Sequence, residues 1–130
     1  MSISDYISKL ESVINSFPIT VTYSLTIDRK TNDIALISGK IEFRNDAILD
    51  FKEFIEDTEH GVEKYKYAYN LRAGEDIIFR YDNAPDPRVR RLKTFPYHKH
   101  LKGGEIIESH QIELSDVLEE IERTYINDLA

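Results

Sequence analysis

The sequence predicts an α+β fold: a mostly antiparallel sheet of five or six strands, covered by an N-terminal and a C-terminal helix in a two-layer sandwich. Apolar residues recur at helical spacing at both ends of the chain, whereas the middle alternates apolar and polar residues as strands do. No crossover-helix pattern separates the strands, which disfavours parallel pairing. A length of 130 residues corresponds to one domain, so we expect a single α+β domain over residues 1–130.

The N-terminal helix is predicted over residues 3–16. Ser2, followed three positions later by Asp5, fits a capping box at its start, and Pro18 ends it. The apolar stripe consists of Ile3, Ile7, Leu10, Ile14 and Phe17. Such a stripe is typical of a helix that packs one face on a sheet.

Two alternating strands follow, over residues 19–28 and 34–43. The predicted inward positions are Ile19, Val21, Tyr23, Leu25 and Ile27 in the first strand, and Ala35, Ile37, Gly39, Ile41 and Phe43 in the second. Each strand therefore has one face for the core and one for solvent.

Residues 47–57 fit a strand or a helix. As a strand, Leu49, Phe51 and Ile55 share a face that Glu53 interrupts. As a helix, the apolar residues of the segment also cluster on one side. The neighbouring strands favour a strand.

Two more strands are predicted at residues 62–71 and 76–82. The first places one set of side chains on the core or dimer face, namely Tyr65, Tyr67, Tyr69 and Leu71, and Lys64, Lys66 and Asn70 on the other. The second directs Ile77, Phe79 and Tyr81 inward and Ile78, Arg80 and Asp82 outward.

The segment 83–96 is predicted to be a long irregular loop, because Pro85, Pro87 and Pro96 cannot join a strand ladder. A short extended piece at 97–100 and a strand at 105–109 follow. A helix capped by Ser115 is predicted to run to about Asp128. Its apolar positions are Leu114, Val117, Leu118, Ile121 and Tyr125.

Composition excludes several protein classes. There is no cysteine, so neither a disulfide nor a thiolate zinc site is expected, and there is no long apolar run that would cross a membrane. The first residues carry an acid and no apolar core, which predicts no signal peptide and a cytoplasmic location. A net charge of −7 argues against a protein that coats nucleic acid with its whole surface.

One block of the acidic chain is basic. Residues 79–102 contain seven lysines and arginines but two acidic residues, together with three of the four prolines and two of the four histidines. The basic residues expected to bind nucleic acid are Arg88, Arg90, Arg91, Lys93 and Lys99. A solvated loop without function would have the same composition.

His98 and His100 are the candidate catalytic bases of this block. In an extended chain the two side chains point to the same face. With Asp82 or Glu105 nearby they resemble a zinc or manganese site. Two histidines and an inferred acid are too few ligands to name a metal, however, so we expect neither a metal nor a cofactor.

Metal-independent RNA cleavage is one chemistry that these residue types allow, and a solvated basic loop is the alternative. A histidine transfers protons near neutral pH, and Arg80 offers bidentate contacts to a phosphate. Asp82 then orients a histidine. The alternative for Arg80 and Asp82 is a structural ion pair at a strand end, and the alternative for the tyrosine stripe is a platform that stacks on bases.

The strings FRYDNAP and TFPYHKH, together with the acidic helix SDVLEEIE, resemble the TumE-like family of toxins from type II toxin–antitoxin pairs. The resemblance covers about residues 20–125. Its characteristic positions are Phe79, Arg80, Tyr81, Asp82, Asn83, Pro85, Phe95, Pro96, His98, Lys99 and His100. One departure is Tyr97, where many members have a histidine. The resemblance implies a helix-turn-helix antitoxin as partner and no defined reaction.

The sequence thus favours a toxin that acts on RNA through His98, His100, Arg80 and Asp82. The alternative is a non-catalytic, dimeric binding protein that uses the basic loop as its docking surface. The position of the two histidine rings distinguishes these hypotheses, because a catalytic site requires them to converge near Arg80 or Asp82.

Overall fold

A computed structural model of the protein, which describes residues 1–126, contains one antiparallel sheet whose seven strands lie side by side in chain order. The strands are β1 (Thr20–Arg29), β2 (Ile34–Phe43), β3 (Ile48–Thr58), β4 (Gly61–Ala73), β5 (Asp76–Asp82), β6 (His98–Leu101) and β7 (Ile106–Glu108). The α+β class and the antiparallel sheet are confirmed. The count of five or six strands is wrong, because the short β6 pairs with both β5 and β7.

Two helices flank the sheet in the sequence. Helix α1 (Ile3–Asn15) begins at the predicted capping box, in which Ser2 Oγ accepts from the Asp5 amide at 3.1 Å. Helix α2 (Leu114–Glu120) continues as a π-helical segment, Ile121–Ile126.

The start of α2 differs from the prediction. Its N-cap is Glu113 rather than Ser115, and the side chain of Asp116 accepts a hydrogen bond from the Glu113 amide at 3.1 Å. The predicted side-chain position of Tyr125 and the predicted helix end near Asp128 lie outside the part of the chain that the structure describes.

Both helices pack on the same face of the sheet and enclose the core. The central buried residues come from both layers: Leu10 and Ile14 of α1, Ile37, Leu49, Tyr69 and Phe79 of the strands, and Val117 and Leu118 of α2. Burial of this apolar surface is the main stabilising term of such a fold.

The ambiguous segment 47–57 forms β3, as the neighbouring strands suggested. Glu53 lies in the core with 0% of its surface exposed. The hydroxyls of Tyr6 and Tyr69 donate to its two carboxyl oxygens. This pairing explains how an acid interrupts the apolar face of a strand without ending it, since a buried polar group is tolerated when it is hydrogen-bonded.

Three residues predicted to face inward are exposed. Val21, Tyr65 and Ile77 are 63%, 48% and 50% exposed, and each lies where the register between neighbouring strands shifts. A β-bulge interrupts the alternation of faces. The register shift between β3 and β4 also places Lys64 inward, with its side chain 3% exposed.

The other face of the sheet carries no α-helix among residues 1–126, and we call it the open face. Its β5–β6 end is covered by the segment 83–97, which is not wholly irregular: Pro87–Val89 form a 3-10 helix, and Val89 and Leu92 are buried. Within the described residues, no helix has the length and apolar character needed to span a membrane.

Candidate functional site

The register of β5 and β6 assembles the candidate site. Arg80 lies directly opposite His100, and Asp82 lies directly opposite His98. Directly opposite residues of antiparallel strands project to the same face with their β-carbons close together. All four predicted catalytic residues therefore meet on the open face, at the end covered by the segment 83–97.

Asp82 is the centre of this cluster. Its Oδ1 atom lies 2.9 Å from Nε2 of His98 and accepts from the Ala84 amide at 3.0 Å. Its Oδ2 atom accepts from Nε of Arg80 at 3.0 Å and lies 3.3 Å from Nε2 of His100. The carboxylate is 5% exposed, so four polar neighbours replace the water that it loses.

The ring of His98 is fixed by the backbone. Nδ1 lies 2.7 Å from the carbonyl oxygen of Pro96, and a carbonyl only accepts, so Nδ1 carries a proton. In a neutral ring Nε2 is then unprotonated. His98 is 1% exposed, so its ring has almost no contact with solvent.

His100 is the member of the histidine pair that reaches solvent. Its side chain is 24% exposed, and its Nε2 lies 3.1 Å from Nε2 of His98. Partial burial lowers the pKa of His100, and the carboxylate of Asp82 opposes that effect. One oxygen or nitrogen atom from each of Asp82, His98 and His100 lies within 4.8 Å of the others, a set that could hold a metal ion.

The basic run 88–93 lies beside the cluster. Some of its side chains are already bound by other groups of the protein, and others are exposed to solvent. Arg88 pairs with Asp86 at 2.8 Å, and the hydrogen bonds from Arg88 lower the pKa of Asp86 to about 2. Arg91 donates to the carbonyl of Ile106 at 3.2 Å. Arg90 and Lys93 are exposed.

Lys99, also predicted to bind nucleic acid, lies on the core face of β6. Its Nζ pairs with Glu120 of α2 at 2.8 Å, and both side chains are 15% exposed. The ammonium lies 4.9 Å from the centre of the Tyr81 ring. The structure therefore separates Lys99 from the other predicted nucleic-acid contacts and gives it a role in docking α2.

Sequence reasoning missed two lysines on the open face. Lys52 and Lys66, both exposed, line a depression of about 260 Å³ that also contains Arg80 and Asp82. The position of Lys52 follows from the strand register, in which Lys52 pairs with Ala68 of β4 and Ala68 pairs with Asp82 of β5. No sequence pattern within one strand contains that information.

The tyrosine stripe belongs mainly to the core. Tyr67 and Tyr69 are buried, and the ring of Tyr97 stacks on Tyr67 with ring centres 6.5 Å apart. Tyr97 therefore lies on the core side of the chain, away from the histidine pair, and a base-stacking platform of three tyrosines is not formed.

Comparison with known proteins gives one family. The family described as toxin TumE matches residues 10–125, which is most of the chain. Neither the search of curated proteins nor the search of solved structures found a match.

Proposed function

The chain belongs to the toxin TumE family, and from this premise we propose that it is the toxin of a type II toxin–antitoxin pair and that it acts on RNA. The observation that carries the proposal is the convergence of Arg80, Asp82, His98 and His100 at one end of the open face. Rings that splay into solvent would have favoured the non-catalytic hypothesis.

Arg80 supplies the phosphate contact in this proposal. Its Nε donates to Asp82, which leaves its two terminal nitrogens for a ligand, and its side chain is 45% exposed. A guanidinium forms planar, bidentate contacts with phosphate. A phosphate held there lies beside His100, since the two residues are directly opposite each other.

The proposed reaction is cleavage of an RNA phosphodiester by the neighbouring ribose hydroxyl. The 2′-hydroxyl loses its proton, its oxygen bonds to phosphorus, and the bond from phosphorus to the 5′ oxygen breaks as that oxygen gains a proton. Nε2 of His100 accepts the first proton, and a water molecule supplies the proton that the 5′ oxygen gains. A divalent ion held by Asp82, His98 and His100 would instead supply the base as a bound hydroxide. Arg80 stabilises the charge that develops on the phosphorus oxygens.

Expression in growing cells tests this function. The double variant His98→Ala/His100→Ala is expected to lose growth arrest, and Arg80→Ala is expected to lower RNA cleavage by roughly 100- to 1,000-fold, as for other groups that stabilise transition-state charge. The matched control is His60→Ala/His110→Ala, which removes two exposed histidines outside the cluster. A folded double variant that still arrests growth contradicts the proposal.

The proposed partner is a helix-turn-helix antitoxin, and the proposed place of action is the cytoplasm, where RNA is the target. The second candidate function is a dimeric binding protein that docks through the basic loop. The observation that favours it is an apolar side chain, Phe95, which is 40% exposed in the same segment as exposed Arg90 and Lys93. It predicts that variants of these three residues lose the partner, whereas variants of His100 do not.

A further inference from the structure

We infer that Asp82, His98 and His100 form a binding site for one divalent transition-metal ion of the zinc class. Binding itself is independent of the proposed function, and only a catalytic use of the ion rests on it.

The donor atoms have the spacing of a metal site that is already formed. Ligands that bind zinc tetrahedrally at about 2.0–2.1 Å are about 3.3 Å from one another. Between the donors of the cluster, the distances are 2.9 Å for Asp82 Oδ1 to His98 Nε2, 3.1 Å for His98 Nε2 to His100 Nε2, and 3.3 Å for His100 Nε2 to Asp82 Oδ2. The first and third distances end on different oxygens of Asp82, so an ion would lie against the edge of the carboxylate, between the two rings, after a small expansion of these distances.

When His98 is neutral, its proton lies on Nδ1, and two hydrogen-bond acceptors then meet at the centre of the cluster. Because Nδ1 donates to Pro96, the Nε2 lone pair of a neutral His98 faces a carboxylate oxygen and the Nε2 of His100. Asp82 Oδ1 and Nε2 of His98 are then two acceptors 2.9 Å apart, which repel each other unless a proton or a cation lies between them. Either a proton on His98 or a metal ion removes the repulsion.

The hydrogen bonds that orient the donor side chains favour the metal form. Metal-binding histidines almost always donate their other ring N–H to a carbonyl or carboxylate, as His98 does to Pro96. The Asp82 carboxylate is likewise oriented by Arg80 and by the Ala84 amide. The positive charge of Arg80 opposes cation binding, but it lies at Oδ2, whereas Oδ1 faces His98.

Three protein ligands leave at least one position of a tetrahedral ion for water or a substrate oxygen, which is the pattern of catalytic rather than structural zinc. His100 lies at the exposed edge of the cluster, opposite Arg80. A phosphate held by Arg80 would therefore lie next to the open position, and this juxtaposition links the ion to the proposed reaction.

The test measures metal binding on the full chain without a polyhistidine tag. The protein is stripped with a chelator and equilibrated with Zn²⁺ or Co²⁺, and bound metal is counted after gel filtration. We expect one ion per chain, the visible d–d bands of tetrahedral Co²⁺, and a higher melting temperature with Zn²⁺. His100→Gln and Asp82→Asn are expected to weaken metal binding by about 100-fold or more. Loss of a residue that only orients a metal ligand costs up to about 100-fold, and loss of the ligand itself should cost at least as much.

His60→Gln/His110→Gln is the matched control and is expected to bind like the wild type. His100→Gln guards against misfolding, because its side chain is already partly exposed. Absence of stoichiometric metal, or wild-type affinity in His100→Gln, overturns the inference. If the protein is toxic but binds no metal, the inference fails and the proposed function stands. If the protein binds metal but its folded His98→Ala/His100→Ala variant stays toxic, only the proposed function is contradicted.

Discussion

At the scale of single residues, the position of Gly39 depends on the partner strand. Gly39 lies directly opposite Phe51, and a β-carbon at position 39 would be 2.2 Å from the Phe51 ring. Phe51 is 2% exposed, and its ring centre lies 6.0 Å from that of Tyr69, so the ring has little space to move away. The alternating pattern predicted that position 39 faces inward but not that an aromatic ring fills the space above it.

Gly39→Ala is therefore expected to destabilise the protein. Overpacking of a filled core costs about 1–3 kcal/mol, and this should exceed the gain from the higher strand propensity of alanine. Urea unfolding measures the free energy of unfolding. Lys40→Ala, one residue further and exposed, is the matched control and is expected to change it by no more than about 0.5 kcal/mol. Equal stability of Gly39→Ala and the wild type would show that Phe51 moves freely.

At the scale of elements, a buried polar network joins α1 to the sheet. Tyr6 of α1 and Tyr69 of β4 both donate to Glu53 of β3. Lys64 donates to the Tyr69 hydroxyl at 2.7 Å and pairs with Glu113 at 3.0 Å, which extends the network to the start of α2. The network thus fixes both helices against the same two strands.

The network predicts a loss of stability at high pH. Burial, and next the charge of Glu53, raise the pKa of Tyr6 and of Tyr69 above the ordinary value of about 10. Above that pH the unfolded chain releases protons that the folded chain retains. The folded form is therefore fully stabilised by these groups below pH of about 10 and loses this contribution as the pH rises further.

Tyr6→Phe checks this linkage. At neutral pH it is expected to cost about 1–3 kcal/mol, because Glu53 loses a donor while it stays buried. Between pH of about 9 and 11 its stability should fall less steeply than that of the wild type. Unfolding by urea at several pH values gives both quantities. Tyr65→Phe, on an exposed tyrosine, should follow the wild-type curve, and identical slopes for all three proteins would exclude the network as the cause.

Helices and strands could be predicted where the sequence pattern that specifies them lies within one segment. Alternation identified β1, β2 and β4, and the cap at Ser2 fixed the start of α1, because each pattern depends on the backbone geometry of that segment. The bulges at Val21 and Ile78 and the pairing of β6 depend on the register between strands, which one strand's sequence does not contain. The four residues of the site were predicted, but their convergence required the register.

At the scale of the whole molecule, charge is unevenly distributed. The protein has a net charge of −7, yet Lys52, Lys66 and Arg80 lie together on the open face beside the cluster. An acidic surface repels a polyanion, so a local basic path directs it to one place. If the protein acts on RNA as proposed, the open face would offer the strand a route to Arg80, in addition to the basic loop predicted from the sequence.

The proposed route for RNA across the open face depends on Lys52 and Lys66. Lys52→Glu and Lys66→Glu, each made as a single variant, are expected to weaken RNA binding and to reduce the slope of log affinity against log salt by about 1 for each lost phosphate contact. The fold should persist, since both side chains are exposed. Lys9→Glu, on α1 in the other layer, is the control for net charge alone. If the control weakens binding as much as either open-face substitution does, net charge and not a path across the sheet governs RNA binding.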